Sequence, residues 1–234
     1  MENILFSSSQ NLILLFGLGL ALGLKHALDA DHISAVSTLV GQTTSIKKSS
    51  TLGFFWGAGH TTTLFIFGLL VLVFKLRIPD KMAVSFELLV GVLLVFLGVN
   101  VLLKIRREKI HIHSHEHGGD KHMHLHSHKD AKIHNHKHLS FLVGMLHGLA
   151  GSGALMLLVF ATTSSILEGL LFVIIFGIGS TIGMLLISSL ISLPFIFSKQ
   201  LPIIDYWGRA MAGILSILIG ASIIYDIGIT KFIL

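Results

Sequence analysis

The sequence predicts an all-α integral membrane protein, with six transmembrane helices arranged as two inverted three-helix repeats. Three observations lead there. Of 234 residues, 53% are hydrophobic and 12% charged, and the mean hydropathy is +0.83. A soluble domain carries about 25% charged residues, so too little polar surface remains here to face water, and the solvent must be lipid. Six stretches reach the ~20 mainly apolar residues a spanning helix needs: 11–40, 51–75, 83–104, 139–162, 167–192 and 208–230. The chain also repeats itself in register. GLKHAL at Gly23 returns as GMLHGL at Gly144, and GAGHTT at Gly57 as GIGSTI at Gly177. The segment from Glu87 through Gly91 and Gly98 returns as that from Arg209 through Gly213 and Gly220. The three offsets are 121, 120 and 122 residues. A three-helix unit repeated once must invert in the membrane, and such repeats place a binding site at their interface near the midplane. Residues 1–104 form the first repeat, 105–138 a histidine-rich disordered loop and 139–234 the second repeat.

The first stretch, 11–40, is the most informative. At 1.5 Å per residue it would run ~45 Å, against ~30 Å of hydrocarbon, so it tilts, breaks or projects. Its segment LGLKHALDADHISAVS carries Lys25, His26, Asp29, Asp31 and His32. Each ionisable group at membrane depth costs ~2.5–3.5 kcal/mol on insertion scales, so such a block marks function. On a regular helix His26, Asp29 and His32 form a stripe ~120° wide, with Asp31 ~140° from His26. Either the helix unwinds locally or other helices complete the site. Neutral imidazoles with one or two carboxylates suit Ni²⁺, Co²⁺ or Zn²⁺, whereas Mg²⁺ and Ca²⁺ take oxygen donors. Lys25 and Asp29 are spaced to pair on a helix, which leaves Asp31 as the ligand carboxylate.

In the second stretch His60 sits within WGAGHTTT, where small residues permit close helix approach, and repeat symmetry sets it beside the block of the first helix. In the fourth, His147 is the counterpart of His26. Ala150 and Ser152 stand where the first repeat has Asp29 and Asp31, so most ligands come from the first half. The expected metal ligands are His26, Asp31, His32, His60 and His147, with Lys25, Asp29, Thr61 and Ser152 around them. Glu87 and Arg209 occupy equivalent positions in the third and sixth helices, which suggests an ion pair across the pseudo-twofold, although opposite membrane faces would separate them. The three prolines, Pro79, Pro194 and Pro202, fall near helix ends or in loops.

Between the third and fourth helices, HIHSHEHGGDKHMHLHSHKDAKIHNHKH holds 11 of the 15 histidines: His111, His113, His115, His117, His122, His124, His126, His128, His134, His136 and His138. Repeated His-x-His sets neighbouring imidazoles on one side of an extended chain, able to chelate nitrogen-preferring metals. With few apolar residues the loop is expected to be disordered without metal.

Basic residues (Lys47, Lys48, Lys104, Arg106, Arg107, Lys109, Lys199, Arg209) gather on one side of the predicted membrane. The positive-inside rule puts that side and the loop in the cytoplasm and both termini outside. The +5 charge is thus a topology signal rather than a nucleic-acid footprint. The N-terminus has no basic n-region or clear cleavage site and does not read as a removable signal peptide. With no cysteine, disulfides, thiolate metal sites and dithiol electron carriers are excluded. HExxH and GxxxxGK[ST] are absent, which argues against a membrane metalloenzyme and against intrinsic ATP use; no organic cofactor is expected.

HALDADH at His26 resembles the signature of the nickel/cobalt transporter family, in which a histidine is followed after four residues by Asp-His, and WGAGHTTTL at Trp56 resembles its second motif. HGLAGSGALMLL at His147 and FGIGSTIGMLLISSL at Phe176 are similar to the shorter, UreH-like members. The resemblance implies nickel or cobalt translocation, with the residues matching His26, Asp31 and His32 essential and those matching Asp29 and His60 important. The chain departs from the best-characterised members in lacking an additional N-terminal helix and an acidic motif near His147. The expectation is a secondary transporter of Ni²⁺ or Co²⁺, working inward, in contact with lipid, the metal ion and a cytoplasmic metal acceptor. Efflux of Ni²⁺, Co²⁺ or Zn²⁺, and a membrane metal buffer or urease accessory without translocation, are the alternatives.

Overall fold

Apolar helices dominate the computed structural model. It describes residues 15–76, 79–107, 110–117, 120–127, 136–163 and 165–232, with the side chains of 80, 110–127, 136, 151–158, 160–162 and 230–232 outside the description. Among the described residues seven helices follow one another: α1 (Leu15–His26), α2 (Ala30–Val40), α3 (Ile46–Phe74), α4 (Asp80–Arg107), α5 (His136–Thr162), α6 (Ile166–Ser198) and α7 (Pro202–Phe232). Among the described residues α3, α4, α6 and α7 each contain a stretch long and apolar enough to cross a membrane. Their outward residues are large and apolar, as at Phe96, Leu190, Phe197 and Met211, which is what lipid requires of a surface. The chain is a helical, multi-pass membrane protein.

The single first helix of the sequence reading is two helices. α1 closes with short-range bonds from Leu28 N to Lys25 O and from Asp29 N to His26 O, both three residues back. Asp29 then turns to an extended conformation (φ −62°, ψ 145°) and caps α2. This break resolves the excess length, and it falls within the ionisable block. The corresponding part of the second half, α5, runs unbroken. Pro194 lies inside α6, one turn from its end, near a helix end as the sequence suggests. Pro202 opens α7, where a missing N–H costs nothing.

Two seams organise the bundle. α3 packs along both α5 and α6, while α4 packs along α7. Both depend on glycine. A Cβ on Gly98 would collide with the Gly213 carbonyl, and one on Gly220 would stand 2.5 Å from the Gly91 carbonyl. α4 and α7 are therefore antiparallel at backbone contact, and Ser216 donates from α7 to Leu94 O (2.8 Å). This arrangement sets Glu87 and Arg209 at opposite ends of the seam. Arg209 pairs instead with Asp205, one turn away on α7 (2.9 Å). α2 lies against α7, α6 and α4, and the turn that follows it is gripped by cations: Lys104 Nζ donates to Gln42 Oε1 and Lys199 Nζ to Thr43 O.

In the histidine-rich segment the structure has regular pairing where composition predicts disorder. β1 (Ile110–His117) and β2 (Asp120–Ser127) form an antiparallel hairpin. The residues between them are Gly118 and Gly119, the composition two-residue hairpin connections favour.

Candidate metal centre

The break between α1 and α2 sets the geometry of the site. His26 ends α1, Asp29 caps α2, and Asp31 and His32 occupy its first turn. Because the chain changes direction at Ala27–Asp29, the ~140° that a regular helix would put between His26 and Asp31 no longer applies. Both histidines turn toward α3, where His60 is fully buried. The ring centroids lie 4.6 Å apart for His26–His32, 5.1 Å for His26–His60 and 5.3 Å for His32–His60. His147 of α5 joins from the far side, 5.1 Å from His32.

These spacings match a shared ion. With metal–nitrogen bonds of about 2.1 Å and ring centres about 1.1 Å beyond, two imidazoles at 90–110° on one ion have centroids about 4.5–5.2 Å apart. One donor atom from each of His26, His32 and His60 already lies within 4.8 Å of the others; binding would draw them to about 3.0–3.4 Å. His32 Nε2, both nitrogens of His60 and His147 Nε2 are buried without a hydrogen-bond partner. Buried polar atoms are ordinarily satisfied, and a cation would supply what these donors lack.

The carboxylates stand behind the imidazoles. His26 Nδ1 is 2.7 Å from Asp29 Oδ2, and His32 Nδ1 is 3.0 Å from Asp31 Oδ1. A carboxylate only accepts, so each Nδ1 carries the hydrogen, and each Nε2 is left with its lone pair for a metal. This carboxylate–histidine pairing is the usual way of orienting a metal-binding imidazole. Asp29 thus pairs with His26 rather than with Lys25. Asp31 is engaged with His32, and its other oxygen lies 3.9 Å from His147 Nε2. The Asp29 and Asp31 side chains are 49% and 29% exposed, against 3% for His32 and none for His147: carboxylates line the outer side and imidazoles the buried floor. Both also act on helix dipoles, since negative charge is favourable at the N-terminus of α2.

Glycines bring α5 close enough for His147 to take part. A Cβ on Gly144 would strike the Trp56 carbonyl, and one on Gly59 that of Phe141. Across the bundle, Gly23 presses α1 onto the Phe176 carbonyl of α6, which seats His26 with its ring 5.4 Å from Phe176.

Of the remaining expected residues, Lys25 is exposed. Thr61 donates its hydroxyl to Gly177 O of α6 (2.9 Å) and accepts from Thr181 Oγ1 (3.0 Å), and so ties two helices together. Ser152 is within α5, but its side chain lies outside the described residues. The loop histidines from His111 to His126 fall at strand positions without described side chains; His128 and His134 lie outside the described residues, as does the side chain of His136, while His138 is exposed at the start of α5. Trp56 was not among the expected residues. It is 1% exposed, stacks at 6.1 Å and 19° on His32 and meets His147 edge-on at 5.3 Å, so it walls the site. Its place one helical turn before His60 in WGAGH was the available signal.

Several known proteins are similar to this chain. A family described as the cytochrome c biogenesis protein transmembrane region matches residues 35–222. With no cysteine in the chain, that match brings no thiol chemistry. A Bacillus sp. (strain TB-90) protein named urease accessory protein UreH is 38% identical over 225 residues, covering 94% of this chain and 95% of the relative. Staphylococcus aureus (strain NCTC 8325 / PS 47) nickel transporter NixA is 34% identical over 118 residues, 42% of this chain and 35% of that protein. No solved structure matches. With identity sustained along nearly the whole of both chains, this protein belongs to the UreH-like nickel/cobalt transporter family and carries the transmembrane region that the 35–222 match describes.

Proposed function

We propose that this protein is a secondary transporter that carries Ni²⁺ or Co²⁺ across the cytoplasmic membrane, inward. The observation that carries the reading is the convergence of His26, His32 and His60, from three helices, at a helix break, with His147 of a fourth helix beside His32. Buried ring nitrogens without partners are found there. Discontinuous helices at mid-membrane are how secondary transporters present polar groups to a cargo ion. The names of the relatives, a urease accessory protein and a nickel transporter, support nickel as the cargo. The ligand set proposed for it is Nε2 of His26, His32 and His60 with His147, held by Asp29 and Asp31; the free oxygen of Asp31 is a further donor as the site rearranges.

Alternating access in this reading rests on two inverted three-helix repeats, and several pairings favour that arrangement. Thr61 and Thr181 are 120 residues apart and bond to each other. Leu94 and Ser216 are 122 apart and also bond. Gly91 meets Gly220 while Gly98 meets Gly213, the exchange of partners expected about a pseudo-twofold. Ser45 and Ser165, 120 apart, cap α3 and α6 in the same way. The orientation proposed is the one favoured by the basic residues: the α2–α3 turn and the histidine-rich segment in the cytoplasm, both termini outside.

The test is uptake of Ni²⁺ and Co²⁺ into proteoliposomes. Uptake by the native protein and its loss in His60→Ala is the expected result. Binding without flux would instead favour a membrane metal buffer serving urease. In cells, lower metal content with higher metal resistance would make the protein an exporter.

A further inference from the structure

Two aromatic rings stand against the imidazole cluster, and the sequence repeat relates them. Trp56 on α3 immediately precedes GAGHTT, Phe176 on α6 immediately precedes GIGSTI, and the two are 120 residues apart, the offset of those segments. Trp56 meets His147 edge-on at 5.3 Å, while Phe176 lies 5.4 Å from His26. His26 and His147 are themselves repeat counterparts, so each ring packs on the histidine of the other half. One contact is the image of the other. Trp56 also stacks on His32.

The α3–α6 seam sets the depth of each ring. Thr61 bonds to Gly177 O, and a Cβ on Gly57 would strike Thr181 Cα. The two helices are therefore antiparallel, with Gly59 level with Gly179. At 1.5 Å per residue, Trp56 and Phe176 leave their helices about 4.5 Å to either side of that level. Side chains lean toward the N-terminus of their own helix, so the rings diverge further. Trp56 leans toward the α2–α3 turn and Phe176 toward the C-terminal end of α3, with the imidazoles they touch between them. Both rings are buried, and Trp56 Nε1 has no hydrogen-bond partner among the described residues. Buried N–H donors are ordinarily satisfied, so this rotamer carries a cost that turning the ring can relieve.

We infer that Trp56 and Phe176 are paired gates, each closing one of two exits from the imidazole cluster toward opposite sides of the membrane. The inference rests on the transport reading and adds to it which side chains alternate. A flat ring packed on the imidazoles excludes water from them, and it clears a path by changing rotamer, a smaller motion than the shift of a helix. Trp56, the larger ring with two imidazole contacts, seals the exit on the side of the α2–α3 turn more fully.

The test is the release of radioactive Ni²⁺ from the full-length protein in detergent after addition of excess chelator. Trp56→Leu and Phe176→Leu keep apolar bulk without the flat ring. Each should speed release tenfold or more, while affinity in calorimetry changes less than threefold, because entry quickens as well and no ligand is lost. Trp56→Phe restores a ring and should bring release to within threefold of native. Phe67→Ala removes an aromatic contact of α3 with Phe86, away from the imidazoles, and should release at the native rate. A leucine variant that is not monodisperse on size-exclusion chromatography is replaced by methionine at the same position. In proteoliposomes the double leucine variant should lose Ni²⁺ counterflow and pass Ni²⁺ without saturation. Native release rates in both single variants would overturn the inference and route the ion past the exposed carboxylate of Asp29. Release that quickens only in proportion to lost affinity would overturn it too, since the rings would then be packing alone. Absence of flux through the native protein would count against transport, whereas release in detergent reports on the rings themselves, so the two failures are distinguishable.

Discussion

The α3–α5 seam offers the sharpest test of how the fold makes the metal centre. In Gly144→Ala the new Cβ would lie 2.6 Å from Trp56 Cδ1 and 2.8 Å from the Trp56 carbonyl carbon, with the carbonyl oxygen nearer still. Carbon atoms pack at about 3.5–4.0 Å, so α5 must withdraw from α3 by about 1 Å. His147 lies on α5 three residues beyond Gly144, and Trp56 is on α3 one turn before His60. The withdrawal therefore pulls His147 from the other imidazoles. A metal–nitrogen bond of about 2.1 Å has no strength when lengthened by about 1 Å, so one ligand is lost. Affinity should fall about 10- to 100-fold, the scale seen when the support of a metal ligand is removed. Gly17→Ala is the control, because nothing lies within 4 Å of its Cβ. Calorimetry with Ni²⁺ in detergent measures the affinity, and thermal unfolding with size-exclusion chromatography shows that each variant is folded. A folded Gly144→Ala protein that binds Ni²⁺ within twofold of native would refute the view that this glycine contact sets the site.

Asp29→Asn and Asp31→Asn should each weaken Ni²⁺ binding about 10- to 100-fold, as expected for partners that orient imidazoles; a much larger loss for Asp31→Asn in the same titration would make Asp31 a direct ligand. His26→Ala and His32→Ala should abolish uptake into proteoliposomes while leaving the protein monodisperse on size-exclusion chromatography. Thr61→Val should cost only about 0.6 kcal/mol of stability, typical of an interhelical hydrogen bond in a membrane, and leave Ni²⁺ affinity unchanged in calorimetry. Replacing residues 110–127 with a Gly/Ser linker should leave the maximal uptake rate intact and alter only apparent affinity, read from the dependence of uptake on Ni²⁺ concentration.

Much of this protein was legible in its sequence because lipid is an unforgiving solvent. A lysine, two histidines and two aspartates within eight residues of an apolar stretch are costly unless used, and the structure brings the two histidines of that block up to His60. His60 and His147 were found through the recurrence of GAGHTT and GLKHAL, because a repeat carries one helix's environment onto another. The less legible parts depended on backbone turns. The paired strands Ile110–His117 and Asp120–Ser127 lie in a segment whose composition argued for disorder. Trp56, one turn before His60, read as an ordinary apolar residue of a membrane helix, since nothing in its own neighbourhood shows which rings it will meet.

Composition, the spacing of apolar stretches and the identity of the polar residues determined the solvent, the helices and the kind of ion that suits the site. These are local properties, set by transfer free energies and by donor chemistry. Tertiary structure alone decided what each donor does. The break at Ala27–Asp29 replaced helical angles that held Asp31 away from His26. It put Asp29 behind His26 and Asp31 behind His32, and it turned both rings inward. The approach of α5 to α3, to within backbone contact at Gly59 and Gly144, then brought His147 up to His32. Contacts of that kind join residues more than eighty positions apart in the chain, and their geometry follows from the packing of whole helices rather than from any segment read alone.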